Sequence, residues 1–351
     1  MEVIMNLEKI AELFIEKIRK DYADDVALVV VMGSYIYGAT HDRSDLDLYF
    51  VPKTQKGYQL GFTFILEEIG FDLWPISWQR LESIARHEER ITSIVTEGKV
   101  LYYASQEDLD RFLKLKSLAL DVSSKSDFAK KANNVFQESY QLIYRIQEAE
   151  TMSELRQYGI RFINTLGYAL SLLNCNTVKR GRGRLKKELL DNALIPDDFE
   201  ACYDTLFLSE DMEVMKKNLS ALLKSTEKLI RKELDRYSQK GSPREVLPGF
   251  YEELITSYNK IYHAAEVNDP YTALFAACEL QHEITDVFQY MDLEKPGFPD
   301  LAKAYDADDL NALVISAQKH KRAFEDFLKA QHVPVRRFKD LSEYETHLSS
   351  L

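Results

Sequence analysis

Two aspartates separated by a single leucine, Asp45 and Asp47 in Ser44-Asp45-Leu46-Asp47-Leu48, are the residues of this chain best arranged for chemistry. In an extended segment successive side chains leave opposite faces, so both carboxylates share one face while Leu46 and Leu48 enter a core on the other. Carboxylates about 7 Å apart on one face can hold one or two hard divalent cations. Upstream, Gly33-Ser34 follows a β-branched run, Val29-Val30-Val31, that reads as a buried strand. A glycine there lets backbone N–H groups approach an anion, and the serine adds a hydroxyl donor. Acids able to bind metal, set beside an anion-binding turn, are what a metal-bound triphosphate requires. An Asp-x-Asp pair alone says little, and the alternative is a hairpin carrying surface carboxylates.

Taken together, Gly33-Ser34, Gly38 and Ser44-Asp45-Leu46-Asp47-Leu48 resemble the signature of the polymerase-beta-type nucleotidyltransferase superfamily. Ile36 departs from the smaller residue such proteins often carry. The resemblance implies nucleotide binding by Gly33, Ser34 and Ser44, and metal binding and catalysis by Asp45 and Asp47. It also implies a third carboxylate on the neighbouring strand. In Phe71-Asp72-Leu73-Trp74-Pro75-Ile76-Ser77 alternation sets Asp72 on one side with Trp74 and Ile76, and Asp72 is the acid that fits. Glu67 and Glu68 are the fallbacks, on a helix expected from Gly57 to Ile69. A three-acid cage implies two magnesium ions.

The chain must position that face with a fold of modest size. At 351 residues it is too long for one ordinary core, and two or three domains are expected. Glu2, Glu8, Glu12 and Glu16 interrupt any signal-peptide-like segment, and no apolar run is long enough to span a bilayer, so a cytoplasmic protein without membrane contact is expected. Cys175, Cys202 and Cys278 lack metal-ligand spacing and read as buried thiols. The formal net charge of −12 argues against nucleic acid as a partner, although local basic patches override a global balance.

Periodicity places an amphipathic helix over residues 6–21 and strands over 26–32, 71–77 and 99–104, with the aspartate-bearing strand ending near Val51-Pro52. A charged helix over 78–90 carries His87, read as a surface histidine. Ser105 and Asp108 form a Ser-x-x-Asp capping box for a helix toward Leu118. Thereafter helices dominate: about 126–149, 153–173, 185–190, 197–237, 250–267, 270–291 and 309–331. Asp269 and Pro270 read as cap and first turn. The basic stretch Lys179-Arg180-Gly181-Arg182-Gly183-Arg184 either faces phosphate or is a solvated helix start. Ser238–Gly249 is the linker candidate.

These signals give an α+β fold: a small mixed-sheet nucleotidyltransferase domain (1–120) followed by an α-helical bundle region, divided into a substrate or lid domain (121–240) and a C-terminal helical domain (241–351). A short nucleotidyltransferase domain followed by helices resembles the aminoglycoside (kanamycin-type) enzymes. That resemblance implies AMP transfer from ATP to a hydroxyl of a small-molecule acceptor, with Glu138 as a candidate base. An acidic cleft would favour cationic acceptors. Transfer to a protein or RNA, and a non-catalytic nucleotide-binding module, are the alternatives.

Overall fold

The computed structural model describes residues 7–237 and 240–351. The chain divides into two compact units, Met1–Ser238 and Gln239–Leu351.

The first unit opens with α1 (Leu7–Asp21), which buries Phe14, Ile15 and Ile18. β1 (Val26–Val31) follows and is buried along its whole length, because it lies inside a sheet covered on both faces. Val29 and Val31 face α1 together with Leu48, Phe50, Phe71 and Leu73. Leu28 and Val30 face the other way, with Tyr49, Leu81, Ile84 and Phe112. β2 (Leu48–Pro52) pairs antiparallel to β1, and α2 (Gln55–Tyr58) is a single turn behind it. β3 (Phe62–Leu66) and β4 (Ile69–Pro75) form an antiparallel hairpin, and β4 lies parallel to β2. α3 (Trp78–Ala85), α4 (Ser93–Thr96), β5 (Lys99–Tyr103) and α5 (Gln106–Leu120) complete this layer. The described residues form one mixed five-stranded sheet, ordered β3-β4-β2-β1-β5. The Ser105 cap holds, its hydroxyl oxygen accepting from the Asp108 N–H at 3.2 Å.

Residues 57–69, expected as a helix, are instead the end of α2 and strand β3. Gly61 breaks the helix, and Phe62, Thr63, Phe64 and Ile65 are of the aromatic and β-branched types that prefer a pleated surface. Phe64 stands opposite Phe71 across the hairpin, ring centroids 5.2 Å apart. The connecting residues Glu67 and Glu68 both have positive φ, 49° and 61°. A two-residue turn of that hand usually carries Asn-Gly, so this one lacked its sequence signal. The helix expected over 78–90 also stops early, at Ala85. His87 has φ 58° and is buried rather than surface, its ring Nε2 lying 2.9 Å from the Ala119 carbonyl.

Helices then fill the rest of the first unit: α6 (Lys125–Phe136), α7 (Glu138–Glu148), α8 (Met152–Leu173), α9 (Leu185–Leu190), α10 (Phe199–Leu208) and α11 (Met212–Tyr237). The single helix expected over 126–149 is two, α6 and α7, flanking Gln137. α8 runs through the middle of one core, burying Leu155, Phe162, Leu166 and Leu170. Thr151 and Glu154 close a capping box at its start.

The second unit comprises α12 (Pro243–Val246), α13 (Phe250–Glu266), α14 (Pro270–Met291), α15 (Asn311–Ala330) and α16 (Leu341–Ser349). It has its own core, in which Tyr258, Leu280, Phe288 and Phe324 meet. Asp269 caps α14 as expected, accepting from the Thr272 N–H at 3.1 Å. Among the described residues no helix is long and apolar enough to cross a membrane. Cys202 is buried and Cys175 half-buried, but Cys278 is exposed, unlike the buried thiol expected.

Candidate active site

Asp45 and Asp47 lie in an extended run immediately before β2. The Met32 N–H donates to the Asp47 carbonyl at 2.9 Å, which carries the β1–β2 ladder one residue past Leu48. Leu46 and Leu48 are buried beneath α1, so both carboxylates leave the opposite face, as alternation requires. The loop before them is closed by Ser44. Its hydroxyl oxygen accepts from the His41 N–H at 2.9 Å, and its own N–H donates to the His41 carbonyl at 2.8 Å. Ser44 is 8% exposed. Its first role is thus to fix the approach of the acidic run.

Gly33 begins a short 3-10 turn, Gly33–Tyr37, that ends on Gly38 in the left-handed region. Two constraints make residue 33 glycine. Its φ is +70°, and a Cβ built on it would overlap the Asp47 carboxylate. The Asp47 side chain therefore lies directly over the Gly33 backbone, close to the Ser34 N–H. Burial holds the Asp47 pKa above the usual carboxylate range, and the neighbouring Asp45 pushes the same way; Arg182 and the Ser34 N–H pull it back. A site that raises a carboxylate pKa through a second carboxylate is one a cation would relieve.

Two adjoining cavities open here, of about 410 Å³ and about 740 Å³. Gly33, Tyr37, Asp47 and Lys179–Arg182 line both; Ser34, Ser44, Asp45 and Glu68 line only the larger. The far wall is the basic loop between α8 and α9, which enters the cleft rather than forming a solvated helix start. Its shape is set by Glu188 on α9. That carboxylate accepts the backbone N–H groups of Lys179 at 2.9 Å, Arg180 at 2.9 Å and Gly181 at 3.3 Å. With three amides turned toward Glu188, the loop's side chains are left to meet the cleft. The Arg180 guanidinium sits 5.6 Å from the Tyr37 ring centroid, and Lys179 pairs with Glu97 at 3.3 Å. Burial, then Glu97 and Glu188, pushes the Tyr37 phenol up to about 12, so it stays protonated. Deeper in the smaller cavity Arg90 donates to the Asn164 side-chain oxygen at 2.9 Å.

Of the residues expected at the site, Gly33, Ser34, Ser44, Asp45 and Asp47 come together. Asp72 is not drawn into the same group. The pairing of Leu48 with Leu73 sets it beside Asp47 in the sheet and on the same face, but it is exposed and lines neither cavity. Among the described residues no group of three or more acids, histidines or cysteines is placed to hold one metal. Glu68, at the hairpin tip, lines the larger cavity instead. Glu138 is exposed and lines neither cavity. The donor set of Asp45 and Asp47 fits one magnesium ion completed by phosphate oxygens and water, the usual coordination of that ion at phosphate-handling sites.

The cleft is basic rather than acidic. Asp45, Asp47 and Glu68 face Arg43, Arg90, Lys179, Arg180, Arg182 and Arg184. Arg90 and Asn164 carried no sequence signal, since each is a lone polar residue in a helical or charged stretch. Glu68 and the basic loop were visible, but nothing in their spacing placed them over the aspartates.

No family model matches the chain, and no curated protein does. Among solved structures it is similar to a nucleotidyltransferase-like protein from Exiguobacterium sibiricum, at 14% identity over 65% of this chain and 78% of that one. The TM-score is 0.37, too loose a superposition to bear on function.

Proposed function

We propose that the first unit is a metal-dependent nucleotidyltransferase that moves a nucleoside monophosphate, AMP from ATP, onto a hydroxyl of a small molecule. The observation that carries this reading is the Asp47 carboxylate seated over Gly33, with Asp45 beside it and the arginine loop across the cleft. Asp45 and Asp47 would hold magnesium, which when bound supplies charge neutralisation for the triphosphate. The serine hydroxyls of Ser34 and Ser44 donate to the phosphate chain from one side. Arg180, Arg182 and Arg184 face it from the other and favour the charge that builds on the leaving pyrophosphate. Tyr37, protonated at neutral pH, is a donor at the junction of the two cavities. Asp72, next to Asp47 in the sheet but outside both cavities, would have to turn toward the aspartates to help hold a second ion.

The test uses ATP labelled at the α-phosphate in one reaction and at the γ-phosphate in another, with magnesium and a panel of hydroxyl acceptors. Label from the α position moving onto an acceptor, with γ label leaving as pyrophosphate, supports the proposal. Loss of γ label alone as inorganic phosphate, or undiminished transfer by Asp47→Asn, refutes it.

A further inference from the structure

Resting on that reading, we propose that the smaller cavity receives the acceptor and that the acceptor is anionic, a small hydroxyl compound bearing a phosphate or a carboxylate, selected by Arg90. The division of the cleft is the first ground. Asp45, Ser34 and Ser44, the groups suited to metal and phosphate chain, line only the larger cavity. The smaller one meets it at Gly33, Tyr37, Asp47 and Lys179–Arg182, so a hydroxyl held there would border the phosphate chain at Asp47, within reach of the transferred group.

Size and lining are the second ground. A space of about 410 Å³ accommodates a small molecule. The walls it does not share include Met32, Ile36, Ile91 and Val178, with Arg90, Asn164 and Ser93 as the polar residues. Such a compartment fits a compact body with one charged end.

Charge is the third. Asp47 is the carboxylate lining this cavity, and in the reaction it is committed to metal. Arg90 is half-buried, and its side chain donates to Asn164; among the described residues it makes no ion pair with a carboxylate. Glu188 is close enough to act on it electrostatically, but that carboxylate is already bonded to three amides of the basic loop. A half-buried guanidinium keeps several N–H donors in one plane, and their natural complement is a carboxylate or phosphate. A polycationic acceptor would meet Arg90, Arg180 and Arg182 together, an arrangement that rejects it.

The experiment saturates the protein with magnesium and α,β-methylene-ATP, then measures binding of glucose 6-phosphate, glucuronate, glucose and glucosamine by calorimetry. At least one acidic sugar should bind about tenfold or more tighter than glucose, and glucosamine more weakly than glucose. The two acidic arms distinguish phosphate from carboxylate as the preferred charge. Arg90→Gln should abolish the preference, Arg90→Lys should keep part of it, and neither should move the affinity for the nucleotide analogue by more than about twofold. Equal binding of all four sugars, tightest binding of glucosamine, or displacement of the acidic sugar by a short RNA in preference to other anions would overturn the proposal. So would an Arg90→Gln protein that loses the nucleotide analogue instead of the acid. Failure of the wild-type protein to bind the analogue at all would sink the nucleotidyltransferase reading itself, a separate result.

Discussion

Asp47 carries more of this account than any other residue, and its environment makes two opposing demands. Its ionised form is needed for metal, yet burial and Asp45 hold its pKa up. A carboxyl whose folded-state pKa exceeds its unfolded value lowers stability above both values and has no such effect below the unfolded one. In EDTA at pH 7, Asp47→Asn should therefore melt about 1–3 °C higher than the wild type. That gain should vanish as the pH falls below the ordinary carboxylate range, and thermal melting across pH 3–7 measures both. Activity should move the other way. Asp45→Asn and Asp47→Asn should each reduce nucleotidyl transfer at least about a thousandfold in the α-label assay. Gly33→Ala joins the two arguments, since the new methyl would displace the Asp47 carboxylate at a backbone φ that L-residues avoid. It should lose activity as severely as Asp47→Asn while destabilising the fold by about 1 kcal/mol or more, read from urea midpoints. The aspartates and the Gly-Ser turn were legible from spacing alone, because period-two alternation and a required glycine are local properties. Arg90 was not, because its place depends on α8 bringing Asn164 against it.

At the scale of elements, the loop between α8 and α9 decides how the cleft is charged. Its arginines were plain in the sequence, but their direction is set by Glu188 eight residues beyond Arg180, through three backbone bonds that no side-chain pattern announces. Glu188→Ala releases those amides and should raise the KM for ATP several-fold with a smaller change in kcat. Glu188→Gln, which keeps a neutral acceptor, should recover part of the loss, and steady-state kinetics separate the two. If both variants behaved as wild type, the loop would not depend on the clasp. The β3–β4 hairpin shows the opposite failure. Its apolar residues can be read at helical spacing, and the Glu67-Glu68 turn has no glycine or asparagine to mark it, so a hairpin that carries Glu68 into the cleft read as a helix. Alternation still set Phe71 and Leu73 inward and Asp72 outward on β4, and the structure keeps that parity.

At the scale of the whole molecule, a chain of net charge −12 carries, in its first unit, a cleft edged by arginines. The total was a poor guide to the charge of the cleft, because a local field can oppose the global balance. The broad architecture, a small mixed sheet followed by helices, was legible because strand signals end near Tyr103 and helical periodicity then runs on. The second unit offers a separate test of its own core. The Tyr258 hydroxyl lies 2.8 Å from His320 Nδ1, and His320 is 2% exposed. Burial, aided by Lys295, takes the His320 pKa down to about 4. Because the folded value lies below the unfolded one, stability is full above pH 6.5 and declines as the pH falls toward 4, by about 3 kcal/mol in total. Amide exchange in α13 and α15 should accelerate over that window in the wild type and far less in His320→Gln. For the first unit the decisive measurement is a crystal grown with manganese and α,β-methylene-ATP. Anomalous density should bridge Asp45 and Asp47, with the phosphate chain between Ser34 and the arginines of the basic loop. Metal bound away from the two aspartates, or nucleotide bound outside the cleft, would contradict it.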